Sequence, residues 1–165
     1  MSKTFDALKR AEAGRTRGRD GRQRDARPFR VVAVTSNKGG VGKTTIATNL
    51  AVYLRALSEE LPILVVGLDD QSMIDRMFSL GGDSDGPNVA DGLRAGTFEG
   101  GIRLGQYGVH YLTTSRDITA VKREIDSTDH LESVLERTGW QGLVIVDTKS
   151  DFEILTRSAL AAADL

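Results

Sequence analysis

Apolar residues follow two rhythms along this chain. Three runs, Val31-Val32-Ala33-Val34, Ile63-Leu64-Val65-Val66 and Leu143-Val144-Ile145-Val146, carry no polar alternation. That is the pattern of strands covered on both faces in a parallel sheet. Between the first two, Ile46, Leu50, Tyr53, Leu54 and Leu57 recur at helical spacing, which predicts a helix over about 43–58. Shorter helices are predicted near 72–78 and 88–94, a strand over 109–113, a helix over 128–137 ending at Gly139, and a last helix over about 152–163. Strands alternating with helices define an α/β fold, a mostly parallel sheet with helices on both faces. In such sheets ligands sit outside the carboxyl ends of the strands.

The first thirty residues read differently. Residues 3–13 are predicted as a short amphipathic helix with Phe5 and Leu8 about a turn apart. From Gly14 to Arg24 there is no apolar residue and there are three glycines, so a basic, largely disordered linker is expected. The predicted division is a basic arm over 1–29 and a folded domain over 30–165. Before Val31 the chain has ten basic and four acidic residues; from Val31 onward it has twelve basic and nineteen acidic. The arm suits two roles. It can neutralise nucleic-acid phosphates, which would make binding salt-dependent, or it can tether the short helix to a protein partner. The linker has no aromatic side chains to stack on bases.

Composition narrows the chemistry. A chain of 165 residues accommodates one ordinary domain. The absence of cysteine excludes disulfides, thiolate metal sites and iron–sulfur clusters. His110 and His130 are too few and too far apart in sequence to suggest a metal site. No apolar run approaches the ~18 residues of a membrane helix, and the first residues lack the apolar core of a secretory signal. A cytoplasmic location is expected.

The informative segment joins the first strand to the first long helix: Ser36-Asn37-Lys38-Gly39-Gly40-Val41-Gly42-Lys43-Thr44-Thr45. Glycines let backbone N–H groups converge on phosphate oxygens, and the helix N-terminus adds its positive end. Lys43 is placed for β- and γ-phosphates, Thr44 for magnesium and Thr45 for the α-phosphate. The first position of the ordinary G-x-x-x-x-G-K-[ST] motif holds Asn37, so this is a variant loop. The plainer alternative is a glycine-rich turn that only caps a helix.

Lys38-Gly39-Gly40-Val41-Gly42-Lys43-Thr44-Thr45 resembles the deviant phosphate loop of the ParA/MinD ATPases, which segregate plasmids and chromosomes or position cellular machinery. The resemblance implies a P-loop ATPase fold, ATP and Mg2+ as ligands, and an ATP-dependent homodimer in which Lys38 reaches the partner's nucleotide. It also implies a ParB-like or other activator or cargo protein and non-specific DNA as candidate partners. The family commonly reads Asp-x-Asp-Pro-Gln after its second strand; here the text is Gly67-Leu68-Asp69-Asp70-Gln71. Asp69 matches the acid that orients the attacking water, while Gly67 and Asp70 depart. The third buried strand ends in Asp147-Thr148-Lys149-Ser150, where the family usually has Asp-Thr-Pro-Pro. Asp147 matches the acid of the magnesium shell. Lys149 is expected to point into water, the alternative being an extra charge near the γ-phosphate. The family continues past the region matched here, with later strands and the segment that contacts the base, so the sequence is expected to be partial.

The resemblance thus implies an ATPase switch with Lys38, Lys43 and Asp69 in catalysis, 38–45 as the nucleotide loop, and Thr44 and Asp147 on the metal. Two alternatives stand beside it. Gly67 and Lys149 suggest a nucleotide-binding regulator that scarcely hydrolyses, and Ala7–Glu12 is similar to the opening of bacterial capsular tyrosine kinases.

Overall fold

The computed structural model describes residues 27–71, 73–81 and 86–165. The expected helix at 3–13 and the basic linker after it lie outside these residues. Five strands form one sheet: β1 (Phe29–Val34), β2 (Ile63–Gly67), β3 (Ile102–Leu104), β4 (His110–Leu112) and β5 (Gly142–Asp147), in the spatial order β1-β5-β2-β4-β3. All neighbours pair in parallel except β3, which runs antiparallel to β4 at the edge. This is the mostly parallel architecture expected from the three apolar runs.

Register does the positional work. Val34 of β1 and Gly67 of β2 both pair with Asp147 of β5. The chain leaves all three strands at one level, so Asp147 stands between the loop that follows β1 and the loop that follows β2. Alternate residues of each strand enter different layers. Leu64, Val66, Val144 and Val146 face the larger cluster; Ile63, Val65 and Ile145 face the smaller. Each of these side chains is fully buried, and burying a Val, Leu or Ile is worth about 1.5–3 kcal/mol.

Helix α1 (Lys43–Leu57) packs on the smaller cluster through Ala47 and Ala51, together with α2 (Ile74–Phe78). The helix lies where its period predicts it, but its buried face is the small-residue one. Ile46, Tyr53 and Leu57 are exposed, because alanines let the helix backbone approach the sheet closely. On the opposite layer lie α3 (Val89–Ala95), α4 (Ile118–Val121), α5 (His130–Thr138) and α6 (Ile154–Ala162). Helix α3 opens with a capping box: Asn88 accepts from the backbone of Ala90 and Asp91, and Asp91 accepts from the backbone of Asn88. Helix α5 ends at Gly139 in the left-handed conformation, as its sequence indicates.

The folded body begins before residue 30. The Arg27 side chain is buried, with its guanidinium 3.0 Å from Glu132 Oε1 and 2.7 Å from Asp164 Oδ1. It also lies over the Phe29 ring, 5.1 Å from the centroid. The same Asp164 accepts from the backbone N–H of Val31 at 2.8 Å. Arg27 thus packs with the described body through partners more than a hundred positions away in sequence.

Candidate nucleotide site

Residues 35–42 connect β1 to α1 and rest on two left-handed glycines, Gly40 at φ 73° and Gly42 at φ 87°. Side chains with a Cβ avoid that region. A Cβ added at Gly39 or Gly40 would meet nothing within 4 Å, so the loop's outer side is open. Gly42 is the N-cap of α1 and gives no side-chain cap. The first N–H groups of this fifteen-residue helix therefore receive no side-chain acceptor from their cap residue, the arrangement that suits an anion.

The polar side chains converge on this loop from β5. Thr44 Oγ1 donates to Asp147 Oδ2 at 2.6 Å, and Asp147 is wholly buried. Lys43 is itself nearly buried, and its ammonium donates to Ser150 Oγ. The Ser150 hydroxyl donates in turn to the Lys38 carbonyl at 3.3 Å. Thr45 lies exposed at the helix start, and its carbonyl accepts from Asn49 Nδ2 at 2.7 Å. Lys38 is exposed, with its backbone N–H donating to Ser36 Oγ at 3.1 Å.

Asp69 follows β2 at once. The ladder continues one residue past the strand, with Leu68 N donating to the Asp147 carbonyl at 2.8 Å. Asp69 Oδ1 then accepts from Gln71 N at 3.0 Å, a local turn that fixes the carboxylate at the loop's entrance. Gly67 puts no side chain beside Asp147, its register partner. The sequence motifs thus come near one another: Thr44 bonds Asp147, Lys43 bonds Ser150 in the loop after β5, and Asp69 lies just past β2, the neighbour of β5.

One expectation fails. Lys149 does not point freely into water; its ammonium is 3.2 Å from Asp70 Oδ1. The pairing escaped a linear reading because Asp70 and Lys149 are 79 positions apart. The parallel register of β2 and β5 is the signal that brings them together, three residues past Gly67 and two past Asp147. Ser150 as the partner of Lys43 was missed for the same reason. Among the described residues no group of three or more His, Cys, Asp or Glu side chains forms a metal cluster, and no helix is long and apolar enough to cross a membrane. His110 sits at the start of β4 against Trp140, ring centroids 5.1 Å apart, and His130 Nε2 lies 2.8 Å from the Leu93 carbonyl.

The donor set fits a magnesium nucleotide. Thr44 and Asp147 offer hard oxygens side by side, Lys43 offers a charge, and the left-handed glycines leave room above the loop. A parallel sheet whose first strand feeds such a loop and helix, with a buried acid on the neighbouring strand, is a P-loop nucleotide-binding protein. A family model described as an AAA domain matches residues 29–165. The chromosome partitioning protein ParA of Caulobacter vibrioides is 29% identical over 149 residues, covering 84% of this chain and 55% of that protein. The chromosome-partitioning ATPase Soj of Thermus thermophilus is 34% identical over 136 residues, covering 82% of this chain and 52% of that protein. Among solved structures, cobyrinic acid a,c-diamide synthase from Mycobacterium smegmatis with bound ATP analog and magnesium matches at a TM-score of 0.67 and 26% identity, over 82% of this chain and 57% of that one. The chain belongs to the ParA/MinD family of P-loop ATPases. It spans about half the length of the curated relatives it matches.

Proposed function

We propose that the protein binds Mg·ATP on residues 38–45, hydrolyses it, and cycles between a monomer and an ATP-bound dimer in the cytoplasm to partition DNA or position cellular machinery. The observation that carries this reading is the contact of Thr44 with the buried Asp147 beside the nearly buried Lys43. Magnesium, when bound, would neutralise charge on the phosphate oxygens. Thr44 and Asp147 would hold it, Asp147 within its shell. The Lys43 ammonium, now on Ser150, would exchange that hydroxyl for phosphate oxygens, a stronger partner because the acceptor is charged. Asp69 would orient the attacking water, and the exposed Lys38 would contact the nucleotide of a second copy. Partition proteins are the relatives that support the switch role. The basic arm supports a contact with DNA, and a ParB-like activator or cargo protein would stimulate turnover.

Gly67 favours a second reading, a nucleotide-binding regulator with little turnover, since no carboxylate stands beside Asp147 at that position. The deciding experiment is Mg·ATP turnover by the full gene product, with and without duplex DNA, beside Asp69→Ala. Turnover that falls at least about tenfold in the variant supports the switch. Tight Mg·ATP binding with no turnover in either protein, DNA present, supports the regulator.

A further inference from the structure

The loops after β2 and β5 are joined by side-chain charge. Lys149 Nζ lies 3.2 and 3.3 Å from the two carboxylate oxygens of Asp70. Each partner adjoins an acid of the site: Asp70 follows Asp69, and Lys149 is two residues past Asp147. A third element closes the arrangement. Thr119 of α4 donates to Asp70 Oδ2 at 3.3 Å, and Lys122, just past that helix, reaches Asp151 Oδ2 at 2.9 Å and Glu153 Oε2 at 2.5 Å. Asp151 also accepts from the Glu153 N–H and the Thr156 hydroxyl, which anchors the entry to α6. The loop bearing Asp69 therefore cannot shift against β5 without separating Asp70 from Lys149.

An exposed ion pair contributes little to stability. This one is only part-exposed, at 34% and 22% of its two side chains, and it bridges two loops rather than two turns of one helix. Partial burial works against charge on Asp70, yet hydrogen bonding from Lys149 and with Asp69, the attraction of Lys149 and the Thr119 hydroxyl together hold its carboxyl below the ordinary range. The Asp70 carboxylate therefore stays charged through neutral pH. Asp70 and Lys149 are also two positions at which the chain departs from the resembled motifs, where prolines would restrict the backbone. Attraction between two side chains can restrict the same loops, and salt can release it.

We propose that Asp70 and Lys149 are a positioning pair, an ion-pair clamp that holds the Asp69 loop at a fixed place relative to Asp147 and so sets the hydrolytic geometry. The proposal deepens the hydrolysis reading above and rests on it for its catalytic consequence. Lys149→Met, Asp70→Asn and the charge-exchanged double variant Asp70→Lys/Lys149→Asp test it with two readouts. In nucleotide-free protein, Lys149→Met should speed amide hydrogen exchange of residues 69–71, on the loop it does not belong to, by at least about fivefold. Turnover should fall about tenfold while Mg·ATP affinity stays within about twofold. The double variant should recover both readouts to within about threefold of the natural protein. Unchanged exchange at 69–71, or a double variant no better than the poorer single one, overturns the clamp. Faster exchange with unchanged turnover overturns the positioning role. Should the natural protein neither bind nor hydrolyse Mg·ATP, the functional reading fails, and the exchange result alone decides whether the clamp exists.

Discussion

The phosphate loop and the two acid-bearing loops beside it are built on different principles. The phosphate loop is local. Its shape comes from Gly40 and Gly42 in left-handed conformations, and its charge from Lys43 and Thr44 a few residues on. The loops after β2 and β5 are made by distant pairs: Asp70 with Lys149, and Ser150 with Lys43. A local device depends on backbone geometry, so it fails when a glycine is replaced. A paired device depends on contact between distant side chains, so it fails when either partner is removed and recovers when the pair is restored.

Four changes would break or sharpen that contrast. Lys43→Ala should have the largest effect, a loss of Mg·ATP affinity of about a thousandfold or more, near 4 kcal/mol, read by calorimetric titration. Unchanged affinity would remove the phosphate-loop assignment. Arg27→Ala is the comparison outside the site, because it breaks another long-range pair. It removes the cation beside Glu132, only 5% exposed, and should cost about 3 kcal/mol in denaturant unfolding without altering nucleotide affinity in the folded protein. Gly42→Ala should cost about 1–2 kcal/mol of stability from its positive φ and weaken nucleotide binding as well, which no charge exchange elsewhere would repair.

The smallest effect concerns pH. Burial pushes the His110 imidazole below the ordinary value of 6.5; a backbone hydrogen bond at Ile63 opposes this and the charge of Arg55 adds to it. A histidine whose folded value is lowered stabilises the fold above its unfolded value. That contribution is lost as the pH falls below 6.5 and through the folded value. Unfolding curves from pH 7.5 to 5 should show this decline, and His110→Phe should flatten it. A slope of opposite sign would place a different group in control.

The same contrast explains what the sequence disclosed. Ile63–Val66 and Val144–Val146 are buried throughout, and Val31–Val34 is buried at Val31 and half-buried beyond it, so the apolar runs announce a parallel sheet before any pairing is known. Lys43, Thr44 and Asp147 were legible because a strand-loop-helix order fixes what they can touch. Strand β3 was not, since Ile102–Leu104 is three residues long and owes its existence to pairing with β4. Helix α4 is also short, at four residues. The direction of Lys149 was misread because an exposed-looking lysine carries no mark of its partner; only strand register supplies one. The buried face of α1 was half legible: its period was clear, but Ala47 and Ala51 rather than the larger residues meet the sheet.

Arg27 has a mechanical consequence. Tension carried by residues that precede it would reach the fold at a guanidinium bonded to α5 through Glu132 and to Asp164 just beyond α6, not at the free end of β1. The load would spread over two helices of the larger layer before it could peel the edge strand from β5. That fixed point lies at the start of β1, the end of the strand opposite the nucleotide loop.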